Sequence, residues 1–216
     1  MAEPLDRTEQ RIVGVLIEKE LAVPETYPMT LNSLVLGCNQ KSNRDPISDL
    51  EEFQVEGALT SLCLKDWCGR REGSRAIKYV HRTDERLGVG RTEKAILAEL
   101  LLRGPQTPTE LRTRVARMGV HLEGAAIADA LDAMSQRADG GLVELLPRRP
   151  RERDARWRHL LGPMLAEHEG ASDGADESRH APTTRERNAD VDVHARLEAL
   201  ERRLDEVERR LGEITG

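Results

Sequence analysis

The most chemically distinctive stretch of this chain is residues 39–45, where Asn39, Gln40, Lys41, Ser42, Asn43, Arg44 and Asp45 precede Pro46. Two cations, three amides and a hydroxyl in seven positions suit capture of a phosphate or a partner's carboxylate by charge-assisted hydrogen bonds. The same text also reads as pure loop chemistry. Asn39 can end a helix, Asn43 and Asp45 can form Asx-turns, and Pro46 can set the direction of the next element. A second group is basic: Arg70, Arg71, Arg75 and Lys78; Arg112, Arg114 and Arg117; and the run Arg148, Arg149, Arg151 and Arg153. Such clusters suit nucleic-acid phosphates, or they are solvated faces in a chain with 28 Arg against 5 Lys.

Catalytic and metal chemistry find little support. Cys63 and Cys68 are five apart, Cys38 is distant, and no Cys or His pair has the usual zinc spacing. Cys38 and Cys63 fall on apolar helical faces and read as small core residues. There is no glycine-rich phosphate loop and no nucleophile elbow. The expectation is a protein without enzymatic activity or cofactor.

The elements that position these residues follow from periodicity. Asp6 and Glu9 have capping-box spacing ahead of Ile12, Val13, Leu16, Ile17 and Leu21 at helical intervals. Thr30 can cap a second helix with Leu31, Leu34, Val35 and Cys38 on its apolar face. A third helix, capped by Ser48 with Glu51 or by Asp49 with Glu52, buries Val55, Ala58, Leu59 and Leu62. Residues 67–71 and 75–82 read as a hairpin with Ile77, Tyr79 and His81 on one face. Three helices and a hairpin make a winged helix.

The pattern then repeats. Arg7, Thr8, Glu9 and Ile12 recur as Arg91, Thr92, Glu93 and Ile96; Pro28, Thr30 and Leu34 recur as Pro105, Thr107 and Leu111. Val55, Ala58, Leu59 and Leu62 return as Ile127, Ala130, Leu131 and Met134. Arg75, Lys78, Tyr79 and His81 return as Arg153, Arg156, Trp157 and His159. The fold class expected is therefore mainly α with small β-hairpins (α+β): winged helices over 1–84 and 85–166, a flexible acidic linker over 167–190, and a coiled-coil helix over 191–216.

In that last segment Val193, Leu197, Leu200, Leu204, Val207, Leu211 and Ile214 alternate spacings of four and three, a heptad seam. Arg at the g positions and Glu at e favour parallel self-association through Leu197, Leu200, Leu204, Val207, Leu211 and Ile214. The alternative is one amphipathic helix packing on its own chain.

Composition narrows the partners. Only 2% of residues are aromatic, so a single-strand reader built on stacked rings is excluded. The net charge of −6 resolves into −2 over residues 1–82, +2 over 83–166 and −6 over 167–216. The basic clusters therefore lie apart from the acidic tail. No apolar run approaches a membrane span, the start lacks a secretory pattern, and three cysteines make no disulfide framework. A cytoplasmic location without membrane contact is expected. The third helices offer Asp49, Glu51, Glu52, Gln54 and Glu56, and Glu123, Asp129 and Asp132, where a groove-reading helix would present Arg or Lys.

Residues 16–21 (Leu-Ile-Glu-Lys-Glu-Leu), 27–34 (Tyr-Pro-Met-Thr-Leu-Asn-Ser-Leu) and 38–46 (Cys-Asn-Gln-Lys-Ser-Asn-Arg-Asp-Pro) resemble the bacterial YceH family, as do residues 103–108, 146–148 and the C-terminal heptads. Ala22 and Val23 depart from the threonines expected there. The resemblance implies two winged-helix domains in a bacterial cytosolic protein and carries no biochemical activity. Function is thus expected to be that of an adaptor or regulator with an unidentified protein partner, aided by DNA backbone contact; the alternative is a DNA-binding transcriptional regulator using its basic wings.

Overall fold

The computed structural model describes residues 3–72, 76–123 and 125–163. Arg75, the linker and the heptad segment lie outside the described residues. The architecture is mixed, with seven α-helices and two small antiparallel sheets among the described residues.

Helix α1 (Arg7–Ala22) starts where the capping box places it: Glu9 N–H donates to Asp6 Oδ1 and Asp6 N–H to Glu9 Oε2, each at 2.8 Å. Thr30 caps α2 (Leu31–Cys38) by accepting from Ser33 N–H at 3.3 Å. Helix α3 (Glu52–Leu64) begins later than Ser48 or Asp49 would place it. Ser48 Oγ instead bonds Cys38 O at 2.9 Å, and the helix starts at Glu51, whose N–H donates to Gln54 Oε1. Strand β1 (Met29–Thr30) joins the hairpin β2 (Cys68–Glu72) and β3 (Ile77–His81) in a sheet of order β1-β3-β2. Tyr79 and His81 are buried and Ile77, nearer the tip, is not.

A short helix α4 (Thr83–Leu87), which no periodicity announced, leads into α5 (Arg91–Arg103), α6 (Pro108–Val115) and α7 (Ala126–Ser135), then strands β4 (Val143–Leu145) and β5 (Trp157–His159). Thr107 repeats the cap of Thr30, accepting from Glu110 N–H at 3.3 Å. The internal repeat extends to pairing register: Met29 lies opposite Tyr79, and Gln106 opposite Trp157. It extends to histidine chemistry too. Nδ1 of His81 accepts from Thr83 N–H and Nδ1 of His159 from Leu161 N–H, both at 3.3 Å.

The two halves share one apolar cluster, to which α1 contributes Ile12, Val13, Leu16 and Ile17 and α5 contributes Ile96, Leu97, Leu100 and Leu101. These helices run antiparallel, with Gly14 against Leu102 at one end and Glu20 against Lys94 at the other. A Cβ at Gly14 would sit 2.9 Å from Leu102 Cγ, so the glycine sets the close approach. Backbone bonds tie the halves further: Leu5 N–H to Leu161 O at 2.8 Å and Asp45 N–H to Leu102 O at 2.9 Å. No helix among the described residues is long and apolar enough to cross a membrane.

Candidate functional site

The joint between α2 and α3 turns most of its polar side chains inward. Asn39 imitates a strand partner for Leu50, donating from Nδ2 to its carbonyl and accepting its N–H at Oδ1, both at 2.8 Å. Arg44 is buried. Its guanidinium grips the Glu18 carboxylate at 2.7 and 3.1 Å and also donates to Gly37 O, Asn43 O and Gln40 Oε1. Asn43, held at φ +60°, accepts Arg103 Nη2 at 2.7 Å and Arg117 Nη1, fastening the joint to the second half. The sequence reading grouped all seven residues as one contact surface. Burial removes Arg44 from that surface, and Lys41, Ser42 and Asp45 are its exposed members. Close by, burial and then the charge of Arg44 push Arg11 down to about 10, and burial pushes the Cys38 thiol up to about 12, far from a nucleophile's range.

The basic residues divide in the same way. Arg70, Arg71 and Lys78 are exposed on β2 and β3, and Arg112 on α6. Arg114 donates to Gln106 Oε1 and lies 3.7 Å from Glu110, while Arg117 reaches Asn43 and lies 3.4 Å from Glu99. Arg103 Nε also approaches Glu99, at 3.4 Å. Burial raises the Glu99 carboxyl above its usual range despite these three arginines. Arg148, Arg149, Arg151 and Arg153 are exposed on the segment between β4 and β5. The structure thus separates a cluster engaged by carboxylates and amides at Arg103, Arg114 and the more exposed Arg117 from an outward one on the second hairpin.

Glu20, His81 and Asp84 bring three ligand atoms within 4.8 Å of one another, the spacing of a cation site. Lys94 Nζ already stands 2.7 Å from both Glu20 Oε2 and Asp84 Oδ2. The hydrogen bond from His81 Nε2, at 2.9 Å, and that from Lys94 hold the Glu20 carboxyl down at about 2. Because Nδ1 accepts from Thr83, His81 carries its proton on Nε2 and donates. The lysine ammonium supplies the positive charge that a metal would bring.

Helix α3 carries the most unusual outward face. At roughly 100° per residue, Phe53, Gly57, Thr60 and Leu64 fall within about 60° of one another, opposite the buried Val55, Ala58, Leu59 and Leu62. Phe53 is 69% exposed and Leu64 84%. A glycine inside a helix costs about 1 kcal/mol relative to alanine, yet a Cβ at Gly57 would meet nothing within 4 Å, so the protein's own packing does not require it. Glu52 and Glu56 are exposed along one flank. At the other end a groove of about 400 Å³ opens between α3 and β2, lined by Thr60, Cys63, Leu64, Gly69, Arg70 and Arg82 among others. Arg82 is paired with Asp66. In the sequence the polar residues of α3 dominate its outward reading, and the signal for Phe53 and Leu64 is their i, i+4, i+7, i+11 register with Gly57 and Thr60.

Comparison with known proteins gives kinship without chemistry. A UPF0502 protein of Geobacter sulfurreducens is 46% identical over 198 residues, covering 91% of this chain and 87% of its own. A UPF0502 protein of Hahella chejuensis is 39% identical over 206 residues, covering 93% and 92%. A third, from Yersinia pseudotuberculosis, is 38% identical over 210 residues, covering 94% and 90%. Residues 5–152 match the family described as protein of unknown function, DUF480, and the chain belongs to that family.

Proposed function

We propose that this protein is a non-enzymatic adaptor or regulator that acts through protein contacts, with the outward face of α3 as its docking surface. The frame is read as two tandem winged helices, supported by the order of three helices and a hairpin in each half and by the repeated pairing register. The observation that carries the proposal is the exposure of Phe53 and Leu64 beside Glu52 and Glu56. In a DNA-reading winged helix the third helix enters the major groove. Carboxylates facing phosphates oppose that use of α3, whereas an apolar stripe with a charged flank suits a protein surface. The heptads over 191–216 are read as a self-association helix, and the expected compartment is the bacterial cytosol.

A photo-reactive residue at Thr60, in the full chain expressed in bacterial cells, tests this directly. Covalent adducts to polypeptide are expected. Adducts only to nucleic acid, or none, would overturn the proposal.

A second reading has its own observation. Arg148, Arg149, Arg151 and Arg153 are exposed on one short segment and suit sequence-independent contact with a DNA backbone. Anisotropy with random duplex DNA should then show affinity falling with salt, with a log–log slope of about −0.9 per neutralised phosphate. Alanine at all four positions should abolish it, and binding unaffected by those substitutions would remove this reading.

A further inference from the structure

We infer that the occupant of the α3 face is a second copy of this chain, packed antiparallel across a two-fold axis with Phe53 of each copy seated in the groove of the other. The inference rests on the proposal that α3 is a protein-docking face and names its partner.

The stripe is its own complement. Reading α3 in either direction gives a large apolar residue, a gap of four, a small residue, a gap of three, a small residue, a gap of four, and a large apolar residue: Phe53, Gly57, Thr60, Leu64. A two-fold axis between Gly57 and Thr60 places each Phe53 over the partner copy's Leu64 end and lets the backbones approach at the centre, where the side chains are smallest. Isologous interfaces require such self-complementarity, since one patch must serve both sides.

The groove supplies the socket. It opens at the Leu64 end, and its wall from Thr60, Cys63, Leu64 and Gly69 offers apolar and small surface for an aromatic ring. At about 400 Å³ it has room for one. Phe53 at the opposite end is the exposed side chain of matching kind.

Charge fixes the direction. Glu52 and Glu56 share a flank of α3 with Cys63, roughly 40° apart in projection, and the two-fold axis sets that flank against itself. The acidic end of one helix then faces the groove end of the other, where Arg70 is exposed at the rim. A parallel arrangement would keep Glu52 of one copy and Arg70 of the other at opposite ends of the helix pair.

The test is sedimentation equilibrium of the full chain carrying Leu204→Asp, which disables the heptad seam. A concentration-dependent dimer is expected, weakened about tenfold or more by Phe53→Asp, as befits an aromatic anchor seated in a socket. Glu52→Arg should weaken the dimer and Glu52→Arg with Arg70→Glu should restore it, while far-UV circular dichroism of each variant stays unchanged. A monomer at every concentration, a dimer indifferent to Phe53→Asp, or the absence of charge-swap rescue would overturn the inference. In those cases a Thr60 photo-adduct to a different polypeptide would leave the α3 docking proposal standing, and the loss of both would remove the two together.

Discussion

Arg44 and Glu18 form a bidentate ion pair at 2.7 and 3.1 Å, with the arginine side chain wholly shielded and the glutamate one-tenth exposed. This pair turns the most distinctive loop of the sequence into a fastening between α1, the end of α2 and the joint. Removing one partner of a buried pair strands the other charge. Arg44→Ala should therefore destabilise the fold by about 3–5 kcal/mol, read as a drop in urea midpoint. Lys41→Ala, at an exposed position, should stay within about 0.5 kcal/mol of the parent. Equal and small effects would show that the guanidinium is not held as described.

Gly14 carries a different constraint. A side chain there collides with Leu102 Cγ and with Leu101 Cβ, 2.9 and 3.2 Å from an added Cβ. Gly14→Val should separate α1 from α5 and destabilise by about 1–3 kcal/mol or more, measured by thermal unfolding. Gly57→Ala should raise stability by about 0.5–1 kcal/mol, because the site is open and helical. A Gly14→Val variant as stable as the parent would contradict the close packing of these helices.

Acid should loosen the second half through His159. Burial, followed by the charge of Arg158, lowers its imidazole to about 4 from an ordinary 6.5. The unfolded chain therefore takes up a proton that the folded one refuses. Stability is full above pH 6.5, declines as pH falls toward 4, and has lost about 2 kcal/mol from this group at pH 5. His159→Gln should flatten stability over that window while Glu20, whose carboxyl is held at about 2, contributes its own loss below about pH 4.5. The check is the urea midpoint at pH 7, 6 and 5; a parent and variant that decline in parallel would rule out His159 as the source.

Lys94 should exclude divalent metal from the cluster of Glu20, His81 and Asp84. Zinc or a chelator is expected to leave the melting temperature of the parent unchanged, whereas Lys94→Ala should gain a zinc-dependent rise. A parent stabilised by zinc and destabilised by chelator would show that the ammonium yields its place.

Much of the fold was legible because its signals are local. Asp6 with Glu9, Thr30, and Thr107 with Glu110 mark helix starts through side chains that reach only three residues along, and each cap forms. Ser48 failed as a cap because Cys38 O and Asn39 Oδ1, ten and nine residues back, claim its hydroxyl. That competition exists only once the loop has folded. The candidate site was less legible for the same reason. Arg44 and Arg70 are alike as text, and only the carboxylate of Glu18, 26 residues away, makes one a fastening while the other stays at the surface. The repeat of His81 in His159 was visible, but its cause, a ring nitrogen accepting a backbone N–H two residues on, needed coordinates. Phe53 and Leu64 passed unnoticed because apolar residues in a helix are ordinarily assigned to the core, and only exposure distinguishes a second stripe from the first.

The most direct measurement is a dilution series of the isotopically labelled full chain, followed through backbone amide NMR shifts. Concentration-dependent shifts gathered on residues 52–64 and 68–71 are the result expected of a face that docks its own copy. Shifts confined to residues 146–156, or to the heptads alone, with α3 unmoved, would contradict it.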